Sequence, residues 1–200
     1  MISDRLIPPE TVVGLRMMKL KSIIAGMKLR QAARRMEPAQ VEFPRSLKDP
    51  KHVLVCLPSG LRELTLVKQF LPAITDLFKP ADITLLCVPG IRVSDIFPRK
   101  GFQILTPSSE QLTWAGLPKK SYLDSLREMK IDLVLDLNLD QSNFTSSVLL
   151  TFPRAVRIGR GNHLGKPYYN LEIKTKYLRD ERNIYMSLLE TIKLIKSSDN

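Results

Sequence analysis

The sequence predicts an α/β protein: a single Rossmann-like domain with a mainly parallel sheet flanked by helices, preceded by an N-terminal basic amphipathic helix. Three observations carry this. Short, continuous apolar runs bounded by turn residues, such as Val53–Leu57 and Asp132–Leu137, read as strands buried on both faces. These runs alternate with segments of helical period, and strand–helix alternation gives a parallel sheet with helices on both sides. The chain has 200 residues, of which 44% are hydrophobic, which suits one domain with a sizeable core. The organisation that follows is a basic helix and proline-containing linker over 1–50 and the α/β domain over 51–200.

The elements are justified in order. Pro8-Pro9 marks residues 1–10 as an extended lead-in. Residues 11–36 read as one helix, because Val13, Met17, Leu20, Ile24 and Met27 recur at spacings of four, three, four and three. Gly14 and Gly26 weaken it. Pro38, Pro44 and Pro50 make 37–51 a linker. Val53–Leu57 is the first strand, followed by the turn Pro58-Ser59-Gly60 and a helix through Phe78. Asp82–Val88 is a second strand closed by Pro89-Gly90, and Phe102–Leu105 is a weaker one. Ser121 with Asp124 three residues later resembles a capping box opening a helix to Lys130. Asp132–Leu137 is a strand, 142–151 a helix, Ala155–Ile158 a short strand, and Leu178–Ile195 an amphipathic helix.

The formal net charge is +11. Between Glu10 and Glu37 there is no acidic residue, whereas Arg16, Lys19, Lys21, Lys28, Arg30, Arg34 and Arg35 are basic, so much of the excess sits on the first helix. Such a segment suits an anionic membrane surface, apolar stripe down and basic flanks toward headgroups. It equally suits docking on a protein partner or on its own domain. Nucleic acid is the weaker reading, because no aromatics are interleaved and no known module matches. The helix residues that would carry such contacts are Val13, Arg16, Met17, Lys19, Leu20, Lys21, Ile24, Met27 and Lys28. Cys56 and Cys87 lie inside apolar runs and read as buried, reduced thiols; neither they nor His52 and His163 have metal-ligand spacing, so no metal is expected. No apolar run approaches the ~20 residues that span a bilayer. No secretory signal is evident, because Asp4 precedes the apolar stretch and Lys19 and Lys21 interrupt it. The expected location is the cytoplasm, with a peripheral position on the cytoplasmic face of the inner membrane left open by the helix.

Four segments, in order, resemble the N-terminal domain of family 9 glycosyltransferases, the lipopolysaccharide heptosyltransferases. VLVCLPSGLRELTLVKQFLPAI (Val53–Ile74) is similar to the opening strand, Ser/Gly turn and proline-containing helix, here with Pro72. ADITLLCVPG (Ala81–Gly90) is similar to the second strand, and IDLVLDLNLDQSNFTSSVLL (Ile131–Leu150) to the "DLVIDLQG" strand and its helix. Ala155–Gly159 is similar to the "RRIG" strand, and 179–190 resembles the segment leading into the interdomain helix. The resemblance covers three quarters of the chain and about half of the family's length. It implies that the sequence stops where the family continues into a second Rossmann-like domain, the one that holds the nucleotide-sugar donor.

The same resemblance implies a site. The family carries a Gly-Asp pair at the start of its first helix, the Asp serving as general base toward an acceptor hydroxyl. The matching pair here is Arg62-Glu63. Glu63 keeps a carboxylate one methylene longer, Arg62 replaces the glycine, and the family's arginine before the turn falls at Leu57. Glu63 is therefore the candidate base; the plain alternative is that Arg62 and Glu63 form a solvated first helical turn. Ser59 and Gly60 could bind an anion at a helix N-terminus, or make an ordinary strand-to-helix turn. Asp136 and Asn138 end a strand and could face the same crevice, or serve loop and capping chemistry.

Two functions follow as expectations. The favoured one is a non-catalytic binding or scaffold protein derived from the acceptor half of a heptosyltransferase-like enzyme, attached to a protein assembly or membrane surface. It needs no cofactor and is not expected to bind a sugar nucleotide alone. The alternative is the acceptor-binding half of a split inverting glycosyltransferase acting on a lipid-linked saccharide. As an isolated chain, the balance leans away from an enzyme.

Overall fold

A computed structural model of the chain describes residues 9–37, 40–90, 96–97, 101–161 and 164–198, with side chains from Met17 onward except Met18. The elements are α1 (Pro9–Arg34), α2 (Arg45–Lys48), β1 (His52–Cys56), α3 (Leu61–Phe78), β2 (Asp82–Leu86) and β3 (Gln103–Leu105). They continue with a single 3₁₀ turn (Ser109–Gln111), α4 (Lys120–Arg127), β4 (Leu133–Asp136), α5 (Asn143–Thr151), β5 (Val156–Arg160), β6 (Leu171–Ile173) and α6 (Glu181–Ser197).

The strands form one six-stranded sheet in the order β3-β2-β1-β4-β5-β6, and every pairing is parallel. The α/β reading is thus observed, sheet and flanking helices together. Strand alternation sorts the core onto two faces. Val53, Val55 and Leu57 belong to one apolar cluster with Leu64, Val67 and Ile74 of α3 and Ile184, Leu188 and Ile192 of α6. Leu54 and Cys56 belong to the other, with Leu126 of α4 and Phe144 and Val148 of α5. Both faces are covered, so β1 needs apolar side chains at every position, which is why it reads as a continuous run. Each such side chain contributes roughly 1.5–3 kcal/mol when fully buried.

Several details differ from expectation. The 1–8 part of the lead-in lies outside the described residues, and α1 begins at Pro9, a residue whose missing N–H is harmless in a first turn. The linker holds a short helix, α2, whose Leu47 is fully buried in the α3/α6 face. The capping box at Ser121 does not form: α4 starts at Lys120, and Asp124 instead pairs with Arg127 (2.6 Å) and Lys120 (3.4 Å) one turn away on either side. Strand β6 was not expected, since three residues with Glu172 between Leu171 and Ile173 give too short a pattern.

The first helix also docks differently. Its buried residues are Ala25 and Leu29, which meet Leu117, Ala115 and Leu150, with Ala33 packed against the α4/α5 cluster. The predicted stripe is turned away: Met17, Leu20 and Met27 are 48%, 47% and 64% exposed. Ile24 is half-buried, and the side chains of Val13 and Arg16 lie outside the described residues. Periodicity weighs large apolar residues, whereas close approach to α5 favours the small Ala25.

One close approach fixes the far half of the sheet. Gly159 in β5 lies directly beneath the ring of Tyr169, and a Cβ there would collide with it. Gly159→Ala is expected to destabilise the fold by about 1–3 kcal/mol through this overpacking. Urea unfolding followed by circular dichroism reads it; a midpoint equal to that of the parent chain would rule the close packing out.

Candidate functional site

Sheet order reverses at β1 and β4, and in open parallel sheets the loops diverging from such a point leave a crevice at the carboxyl ends of the strands. Cys56 pairs in register with Asp136, so the two strand ends lie side by side. Every candidate residue named for the crevice sits there: Ser59, Gly60, Arg62 and Glu63 follow β1, and Asp136 and Asn138 end β4. Their chemistry is unequal.

Glu63 folds back on its own helix. Its Oε2 accepts from the Gly60 N–H at 3.0 Å, satisfying a backbone donor that the start of α3 would otherwise leave open. Gly60 makes room for this, since a Cβ there would strike the Glu63 carboxylate. The half-buried carboxyl is pushed up from its ordinary value of 4.5 mainly by desolvation, and further by Asp140 and Glu181; the Gly60 N–H and Arg62 act the other way. Arg62 places its Nε 3.0 Å from Glu181 Oε2, tying the first turns of α3 and α6. With Arg62 80% exposed, such a pair contributes at most about 1 kcal/mol. Arg182 of α6 adds a second tie, donating to Gln69 of α3. Ser59 is exposed on the turn.

Asp136 points inward and is 3% exposed. Its Oδ2 accepts from the Tyr169 hydroxyl at 2.6 Å, and its Oδ1 accepts from the Asn138 N–H at 3.0 Å and the Asn138 Nδ2 at 2.7 Å. The same Nδ2 donates to Thr145 Oγ1 at 3.2 Å, binding the loop to α5. Burial raises the Asp136 carboxyl above its ordinary range, against the pull of these three hydrogen bonds. The rest of the β4 loop is braced from outside. The Tyr185 hydroxyl donates to the Leu137 carbonyl at 3.0 Å, and Arg160 donates to the carbonyls of Leu139 (3.5 Å) and Leu178 (3.4 Å). Tyr169, Tyr185 and Arg160 were not picked out from the sequence. They lie 24 or more residues beyond Asp136 and belong to no local motif, so only the fold assembles them.

Beside the crevice, between the starts of α3 and α6, runs an open cleft of about 1040 Å³ lined by Leu61, Arg62, Thr65, Arg179, Glu181 and Arg182 among others. Leu61 is 70% exposed at its edge, and Leu178 just before it is 74% exposed. Among the described residues, no group of three His, Cys, Asp or Glu side chains could hold a metal ion.

No protein-family model matches the sequence, and no curated protein matches it. Solved structures do. The glycosyl transferase family 9 protein from Veillonella parvula superposes with a TM-score of 0.51 at 18% identity, over 77% of this chain and 44% of that one. The Escherichia coli heptosyltransferase WaaC, solved with ADP, gives a TM-score of 0.51 at 14% identity, over 70% of this chain and 46% of that one. The chain therefore has the fold of part of these glycosyltransferases and spans less than half of their length.

The Asp136 geometry fixes a pH dependence. Its folded-state pKa is raised, so the native chain holds the proton to higher pH than the unfolded chain does. That contribution to stability is complete below the ordinary value of 3.8 and is lost as pH rises through the folded value. Asparagine can keep the contacts, its Oδ1 accepting from Asn138 and its amide donating to the Tyr169 oxygen. Asp136→Asn is expected to gain stability relative to the parent as pH rises from 3 toward 7 (roughly the window a raised carboxyl pKa opens). Paired denaturation curves measure the difference, and a difference independent of pH would contradict the buried carboxylate.

Proposed function

We propose that this chain is a non-catalytic binding module built on the acceptor-side half of a glycosyltransferase-like fold, and that its cleft between α3 and α6 receives a protein partner. The observation that carries this is the Glu63 carboxylate. The group placed where a base would stand is folded back onto the Gly60 N–H at 3.0 Å, as part of the start of α3. A general base needs reach to a substrate proton before its pKa matters. The neighbouring Arg62 is likewise engaged, on Glu181.

The cleft supports the protein partner. It sets exposed Leu61 among Arg62, Arg179 and Arg182, with Asp180 and Glu181 on the same lining, and arginine is enriched at protein interfaces over the rest of a surface. The partner's complementary face would set an apolar group against Leu61 and a carboxylate against Arg179. Fold alone assigns no activity, because function resides in the groups of the site.

A second reading has one specific observation in its favour. The Glu63 carboxyl is raised by desolvation and by Asp140 and Glu181, the direction that tunes a carboxylate toward base catalysis. On this reading the chain is the acceptor-binding half of a split inverting glycosyltransferase, with a second polypeptide supplying the donor domain.

Calorimetry tests the first reading, and a reconstituted transfer assay separates it from the second. The binding-module reading expects no saturable heat when an ADP- or UDP-sugar is titrated into the chain; saturable binding would overturn it. Glu63→Gln retains an oxygen for the Gly60 N–H, so its stability should change by no more than about 1 kcal/mol. In a reconstituted mixture with a donor-domain polypeptide, the split-enzyme reading expects that variant to lower the transfer rate by about 10²–10⁴-fold.

A further inference from the structure

The docked pose of α1 leaves its largest apolar residues uncovered. At about 100° per residue, Met17, Leu20, Ile23 and Met27 occupy an arc of about 120°, and the docked residues Ala25, Leu29 and Ala33 lie about half a turn away. The four arc residues are 48%, 47%, 59% and 64% exposed. One edge of the arc carries Lys19 and Arg30 and the other Lys21 and Lys28, all exposed. The helix has no acidic residue after Glu10. Two apolar faces on opposite sides of one helix have separate uses: the small-residue face holds the domain, and the large-residue face has nothing of this chain over it among the described residues.

A second feature lies on the hairpin that packs against the docked face of the same helix. Ala115 and Leu117, which pack on Ala25 and Leu29, belong to a hairpin closed by the Leu112–Pro118 bridge. Its tip is the turn Thr113–Gly116, with the Gly116 N–H donating to the Thr113 carbonyl at 2.9 Å and Gly116 at φ +78°, a value that favours glycine. Trp114 sits on that turn and is 56% exposed, and Lys119 and Lys120 follow, both exposed. An exposed tryptophan with adjacent lysines suits the boundary between headgroups and acyl chains.

We propose that the exposed Met17–Leu20–Ile23–Met27 face of α1 is a docking surface for an anionic lipid bilayer, with Trp114 on the hairpin packed against the same helix as a further contact. The helix lies along the surface, its arc inserted among the acyl chains and the lysines and arginine at its edges reaching headgroup phosphates. Charge complementarity selects this occupant: basic residues bound the arc on both sides, and none of its neighbours on α1 is acidic. A polyanion such as nucleic acid would use the charges without the apolar arc. No described helix is long and apolar enough to cross a bilayer, consistent with a surface position. The inference does not depend on the crevice, whose cleft lies on the α3/α6 face.

The test uses the full chain with vesicles of equal parts phosphatidylcholine and phosphatidylglycerol, and with phosphatidylcholine alone. Trp114 is the single tryptophan, and it sits on the hairpin packed against α1, so its emission reports the approach of lipid to this end of the domain. The expected result is cosedimentation with the anionic vesicles, little with the neutral ones, a blue shift of Trp114 emission, and quenching by brominated acyl chains. Each of Lys19→Gln, Lys21→Gln and Lys28→Gln should lower partitioning by about fivefold, the effect of roughly 1 kcal/mol per basic residue at such a surface. The double variant Leu20→Gln/Ile23→Gln, whose sites are exposed, should keep the circular dichroism of the parent and lose partitioning by at least about tenfold. Failure of the parent chain to bind anionic vesicles would overturn the proposal. Undiminished binding by the Leu20/Ile23 variant would also overturn it, pointing to a purely electrostatic polyanion contact.

Discussion

The far half of this fold depends on one buried carboxylate. Asp136 closes β4 at the reversal of the sheet, and Tyr169 reaches it from the segment before β6 with a 2.6 Å hydrogen bond. To do so the Tyr169 ring crosses β5 at Gly159, where no side chain intervenes. The same segment is also held by Arg157, which is fully buried and, among the described residues, has no carboxylate hydrogen-bond partner. Its Nε, Nη1 and Nη2 donate to the carbonyls of Tyr168 (2.8 Å), Phe152 (2.6 Å) and Pro167 (3.0 Å), and burial lowers its pKa to about 10, still charged at neutral pH. Hydrogen bonds to charged groups contribute about 1.5–3 kcal/mol each, and more is lost when a buried partner is orphaned. The segment Pro167–Asn170 is thereby made part of the core next to β6.

This arrangement decides what the crevice can be. The β4 loop is tied through Asp136 and Asn138 inside, and through Leu137 and Leu139 to α6 and β5 outside. The β1 loop is tied through Glu63 to Gly60. Polar groups at the switch point therefore stabilise the loops themselves. Exposed apolar surface lies to one side, at Leu61 in the α3/α6 cleft.

Much of the fold was legible because β1, β2 and β4 are covered on both faces and are apolar at most positions, which leaves a short apolar run in the sequence for each. Strand β6 and helix α2 were not legible, being three and four residues long, shorter than the periods that would reveal them. The site was half legible. Adjacency of the β1 and β4 loops follows from strand order, so Ser59, Gly60, Arg62, Glu63, Asp136 and Asn138 could be gathered in advance. Which way each side chain turns depends on partners distant in sequence: Tyr169 draws Asp136 inward, and Glu181 engages Arg62. The stripe on α1 illustrates the same limit. Spacing identified an apolar face correctly as a face, but docking was decided by side-chain size, and Ala25 let the helix approach where Met27 could not.

The two surfaces so exposed lie on opposite sides of the sheet. Helix α1 packs beside α4 and α5, whereas the cleft is formed by α3 and α6, so occupation of one leaves the other open. A chain attached through α1 to a bilayer would present its crevice rim and cleft away from that contact, free to engage a second macromolecule. Neither contact requires catalysis at Glu63. Conversely, a split enzyme acting on a lipid-linked acceptor would also gain from the same attachment, since confinement to a surface raises the effective concentration of a membrane-bound substrate. The attachment and the chemistry are therefore separable questions, and the position of the Glu63 carboxylate, not helix α1, is what bears on whether the module binds or reacts.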